Sequence, residues 1–159
     1  MRRPIDFPFY TLSDIQLTGL LADGEARGEP MEGETAIIWV VKNRVASKRH
    51  EFYDSDILDA GYNLYYAVIL KNMLVNGNNI YQFSCFNEHD PNRARMIKLI
   101  QSGTYPLEDL AAEVISSDED PTDGAVLYYN PAVCTPSWAD SPLLVETCII
   151  GRHRFMKYM

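Results

Sequence analysis

The sequence predicts an α+β domain, helices first, with a small antiparallel β-sheet formed mainly by the C-terminal third. Three observations predict it. Up to Ser116, apolar residues recur at helical spacing behind recognisable caps. Beyond Asp120, Ala125 to Tyr129 and Val145 to Phe155 alternate like strands, with Gly151-Arg152 as a turn. The 159 residues are 47% apolar and include ten Tyr, six Phe and two Trp. That suffices for one packed core and is too little for two ordinary domains. Residues 1–159 therefore read as one domain, with 1–12 as an N-terminal extension.

Ser13-Asp14-Ile15-Gln16 is a capping box opening a helix with Leu17, Leu20 and Leu21 on one face. Gly24 frays that helix and leaves Glu25 at its C-terminal end. Pro30 suits the first turn of a second helix running to about Val45. Its centre, Ala36 to Val41, is apolar all round and β-branched, so a buried strand is the alternative; the length favours helix. Asn63 to Asn76 reads as a helix stopped by Gly77, with Asn-Gly-Asn-Asn as a loop. Asp90-Pro91 caps a helix whose Ala94, Ile97 and Ile100 share a face, and Gly103 ends it. Pro106 to Ser116 repeats the pattern with Leu107, Leu110, Ala111 and Val114, and an acidic loop to Gly124 follows. The chain shows no internal repeat.

Charge and cysteine content exclude several functions. A net charge of −8 disfavours nucleic acid, whose binding needs Lys and Arg to neutralise phosphates. An anionic polymer would have to be held by local contacts. Arg2 and Arg3 resemble a signal peptide's charged region, but Pro4, Asp6 and Pro8 interrupt the apolar run that should follow. No apolar stretch reaches transmembrane length. The expectation is synthesis in the cytoplasm without a signal peptide and without membrane insertion. Cys85, Cys134 and Cys148 form neither a disulfide framework nor a zinc spacing. Free thiols are expected, with a Cys134–Cys148 bridge left open. Asn87, Glu88, His89 and Asp90 look like metal ligands, yet Asp90 is better explained as a helix cap. Neither metal nor cofactor is predicted.

The chemistry concentrates in Gly24-Glu25-Ala26-Arg27-Gly28-Glu29-Pro30, between two apolar segments. A carboxyl against apolar surroundings has a raised pKa and can serve as a general acid. At a helix C-terminus the partial negative charge also disfavours the carboxylate, which favours Glu25. Glu29, just before Pro30, is explained more simply as a favourable charge at a helix N-terminus. Arg27 reads as the structural partner of both, and Glu32 and Glu34 as first-turn charges.

The run from Leu20 to Ser47, LLADGEARGEPMEGETAIIWVVKNRVAS, resembles the opening of the SleB/CwlJ family of bacterial cell-wall hydrolases. These are the spore-cortex-lytic enzymes and their phage relatives. The resemblance returns at Gln82 to Arg95, QFSCFNEHDPNRAR, and again from Asp120 to Met156 in DPTDGAVLYYNP, PSWA and IIGRHRFM. It implies a lysozyme-like helical domain, and it places Glu25 on the family's catalytic glutamate. It further implies substrate contacts from Gln82, Ser84, Tyr128, Tyr129, Asn130, Trp138 and His153. His153 falls in a G-x-H-x-F pattern between Gly151 and Phe155. The family carries an aromatic residue or His where this chain has Leu127. Aromatic faces and an amide suit the stacking and hydrogen bonding of sugars.

The activity so implied is a lytic transglycosylase acting on peptidoglycan glycan strands, with Glu25 as acid and then base. The alternatives are a hydrolytic muramidase, which usually needs a second carboxylate, and a glycan-binding or virion module without chemistry. The expected setting is a phage lysin released through a holin, or a cortex-lytic enzyme loaded without secretion, acting on the wall after release.

Overall fold

The computed structural model describes residues 7–159. Helix α1 (Phe7–Tyr10) is a single turn whose buried Phe9 meets Phe86 edge-on at 5.0 Å. Helix α2 (Asp14–Glu25) opens with the capping box, Ser13 accepting from the Gln16 amide and Gln16 from the Ser13 amide. Helix α3 (Met31–Ser47) follows, with Pro30 as its N-cap. It is a helix throughout, which settles the strand alternative. Its all-round apolar centre has a physical reason, because it is packed on three sides. Val41 joins the main core of α1, α2 and the middle segments. Ala36, Ile37 and Val40 pack against the sheet through Ala125 and Phe155. Ile38 and Trp39 meet Ala22, Ala111 and Val114.

The middle of the chain departs from expectation. Helix α4 is short (Ser55–Asp59), and α5 spans only Leu64–Ile69, with Asn63 capping the Tyr65 and Tyr66 amides. The expected helix through Asn76 is instead a hairpin of β1 (Asn72–Val75) and β2 (Asn78–Tyr81). Asn76 and Gly77 take φ values of 50° and 82°, the two left-handed positions of a primed turn that matches strand twist. The loop reading of Asn-Gly was right locally, but it closes a hairpin. A 3₁₀ turn (Ser84–Phe86) then leads to α6 (Pro91–Gln101), capped by Asp90 as predicted. Helix α7 (Glu108–Ser116) starts two residues later than Pro106, since Leu107 is left-handed.

The C-terminal third forms the antiparallel sheet in the order β3-β5-β4, from β3 (Leu127–Tyr129), β4 (Leu144–Ile150) and β5 (His153–Tyr158). Tyr128 pairs with Phe155, and Ile150 with His153 across the Gly151-Arg152 turn. Phe155 is fully buried against α3. Thus β3 and β5 lie over the end of α2, and the cleft opens there.

Candidate active site

Glu25 is the last residue of α2. The next residue, Ala26, is buried among Ala36, Val40 and Phe155, and its amide bonds the Ala22 carbonyl. The helix end is thereby pinned between α3 and the sheet, and the Glu25 side chain is directed from a rigid element. Beneath it lies Cys85, fully buried; burial, then the Glu25 charge, pushes its thiol pKa well up. The thiol therefore stays protonated and adds no negative charge beside Glu25. From β3, the Tyr128 hydroxyl donates to Glu25 Oε1 at 2.7 Å.

Arg44 supplies a fixed charge under this group. Its guanidinium lies 4.9 Å from the Phe52 ring and 5.0 Å from the Phe83 ring, and Nε donates to the Val126 carbonyl at 2.7 Å. Burial lowers its pKa, and the facing Tyr128 and Glu25 oppose that shift. Arg44 stays cationic in either case. A charge in so apolar a setting acts on its neighbours with little screening.

The cleft is about 580 Å³ and brings together Glu25, Gln82, Ser84, Tyr128, Tyr129, Asn130, Trp138 and His153. All eight sequence-derived candidates thus share one cavity. Gln82 and Ser84 are exposed around the buried Phe83. Trp138 sits on a 3₁₀ turn (Ser137–Asp140), half-buried, its ring edge-on to Tyr129 at 5.5 Å. This is an aromatic corner rather than a lid over the core. Leu127, at the position where the family has an aromatic residue or His, also lines the cleft.

Glu29 requires a correction. It is not a solvated charge at the start of α3: its side chain is 4% exposed and lies 3.2 Å from Arg152 Nε and 3.3 Å from His153 Nδ1. Arg27 does not bridge the two glutamates either; it donates to Asn92 at 3.2 Å. Glu32 and Glu34 do not line the cleft, and Glu34 faces Asp23, its pKa raised by burial and then by that charge. The sequence did not reveal Arg44, Cys85 and Arg152 as parts of the site, and Glu29, the rival of Glu25 for the acid role, reads there as a helix-end charge. Arg44 alone had a readable signal, sharing a helical face with Ile37, Val40 and Val41 at positions where a charge is out of place.

Asn87 accepts from the Tyr81 amide at 2.7 Å, and Asp90 caps α6. Among the described residues no three His, Cys, Asp or Glu side chains converge as metal ligands. The three cysteines are unpaired, Cys134 exposed and Cys148 half-buried. Among the described residues no helix is long and apolar enough to cross a membrane.

Residues 28–156 match the family model described as Cell Wall Hydrolase. The chain belongs to this family. A spore cortex-lytic enzyme of Oceanobacillus iheyensis is 27% identical to this cell wall hydrolase family member over 153 residues, 93% of the chain and 43% of the relative. The chain thus spans under half the length of that curated relative. The catalytic domain of the Bacillus cereus SleB protein superposes with a TM-score of 0.54 at 26% identity, covering 91% of this chain and 89% of that one. The catalytic domain of the germination-specific lytic transglycosylase SleB of Bacillus anthracis gives 0.55 at 25%, covering 91% and 93%. Glu25 lies three residues ahead of the family match, so its place in the site rests on the geometry above.

Proposed function

We propose that this protein cleaves the glycan strands of peptidoglycan as a lytic transglycosylase, between N-acetylmuramic acid and N-acetylglucosamine. One observation carries the reading. Of the two glutamates lining the cleft, Glu29 is ion-paired with Arg152 and His153, whereas Glu25 makes no direct ion pair among the described residues and keeps its carboxyl available. Its likeness to a SleB lytic transglycosylase domain supports the same reaction.

Glu25 donates its proton to the glycosidic oxygen as the C1–O bond breaks. The resulting carboxylate then removes the proton of the muramic sugar's 6-hydroxyl, whose oxygen bonds C1 and closes a 1,6-anhydro ring. No water is consumed, so a single free carboxyl is enough. A hydrolytic mechanism would usually need a second carboxylate at roughly 5–10 Å. Gln82, Ser84, Tyr129, Asn130 and Trp138 would hold the strand across the cleft.

Mass spectrometry of fragments released from purified peptidoglycan tests this. Ends lighter by one water than reducing muramic acid are expected, and Glu25→Gln should give none while remaining folded. Reducing ends that carry heavy oxygen from labelled water would overturn it. The setting we infer is action on the bacterial cell wall, with a holin as the means of release in a phage.

A further inference from the structure

Glu29 is placed with care that a helix-end charge does not require. Its carboxylate is nearly sealed from solvent, between the Arg152 guanidinium and His153 Nδ1. Two glycines clear the space for it. A Cβ on Gly33 would stand 2.9 Å from the Glu29 Cβ, and one on Gly151 would stand 2.5 Å from Glu29 Oε2. His153 in turn lines the cleft, with its ring edge-on to Tyr128 at 5.4 Å. Nε2, on the other side of that ring, has no hydrogen-bond partner among the described residues and is not among the atoms sealed from solvent.

A neutral imidazole carries one proton, and a carboxylate at Nδ1 requires that proton on Nδ1. We propose that Glu29 is a positioning residue that fixes His153 in the Nδ1–H form, so that Nε2 accepts a hydrogen bond from an N–H or O–H group of the sugar bound beside Glu25. The saccharide class rests on the function proposed above; the tautomer does not. The groups facing His153 agree with a neutral ring. Burial lowers its pKa, and of its charged neighbours Glu29 and Glu25 raise it while Arg152 lowers it. Tyr128, packed against the ring, keeps its proton, since burial and then Glu25 push its pKa well up.

The wild-type protein itself gives the first test. Long-range ¹⁵N–¹H correlation of the imidazoles, with His153 assigned by comparison with His153→Gln, should show Nδ1 protonated and Nε2 bare at neutral pH. In Glu29→Gln the titration midpoint of His153 should fall, because the carboxylate that raised it is gone. The reverse tautomer, or an unmoved midpoint, would overturn the assignment. Because no substrate is involved, failure here is told apart from failure of the glycosidase reading.

The second test uses soluble glycan fragments. His153→Leu should raise KM about 3- to 10-fold, the loss of one hydrogen bond, with kcat affected less. His153→Gln, whose carbonyl can still accept, should recover most of it. A His153→Leu protein with wild-type KM would overturn the contact, and so would equal losses in both variants.

Discussion

The Tyr128 hydroxyl donates to Oε1 of Glu25 at 2.7 Å, joining the first strand of the sheet to the last residue of α2. The bond links elements 103 residues apart. Tyr128 is fixed by backbone pairing to Phe155, itself buried against α3. Its pKa is pushed well up by burial and then by Glu25, so the hydroxyl remains a donor at neutral pH. With the Arg44 charge, it forms a preorganised environment that favours the carboxylate left once Glu25 gives up its proton. Such a group needs no solvent rearrangement at that moment.

Removing that donor should therefore slow the reaction more than it weakens the fold. Tyr128→Phe keeps the ring and its packing on His153 and Phe155. A hydrogen bond to a charged group contributes about 1.5–3 kcal/mol, so kcat should fall about 10- to 100-fold. Turnover per folded molecule, alongside a thermal melt, checks this. A loss of stability with unchanged kcat would make the contact structural only.

Gly151→Ala should disturb the site from the opposite side. Gly151 has φ of +58°, and an added Cβ would stand 2.5 Å from Glu29 Oε2. Both effects act against alanine, and the expected destabilisation exceeds about 1 kcal/mol. Urea unfolding measures it. In Gly151→Ala combined with Glu29→Ala the steric part should be relieved, so the two changes should be clearly non-additive.

The sequence carried the local parts of this fold and missed those made at a distance. The capping box at Ser13, the Asp90-Pro91 cap and Glu25 at the end of α2 are written in residues a few positions apart. Asn76-Gly77 was equally local. It was misread because the preceding apolar stretch has helical spacing as well, and the turn chemistry outweighed it. Glu29 was not readable in this way. What makes it a buried ion-pair partner is its meeting with Gly151, Arg152 and His153, over 120 residues downstream, and no spacing rule reports such a contact. Arg44 lies between these cases: its helical face was legible, but the aromatic rings on either side of it were not.

Asp120 gives a prediction in which pH sets the sign. Its Oδ1 accepts from the Thr122 amide and hydroxyl, and its Oδ2 from Asn43 at 2.8 Å and the Gly124 amide at 2.9 Å. Burial pushes its pKa up, but these hydrogen bonds outweigh it and hold the pKa below the ordinary value. The loop is thereby fastened to α3 just ahead of β3, the strand that brings Tyr128 over Glu25. A carboxylate whose folded pKa is depressed stabilises the fold above its unfolded pKa, near 3.9, and loses that contribution as pH falls through the folded value. Asp120→Asn puts an amide NH₂ where two donors converge, so at pH 7 it should be less stable by about 1–3 kcal/mol. In acid the wild-type carboxyl protonates and acquires the same conflict. Urea unfolding at pH 7, 5 and 3 should therefore show a gap between the two proteins that is full at pH 7 and shrinks toward pH 3. A gap unchanged across that range would mean that shape, rather than charge, makes Asp120 necessary.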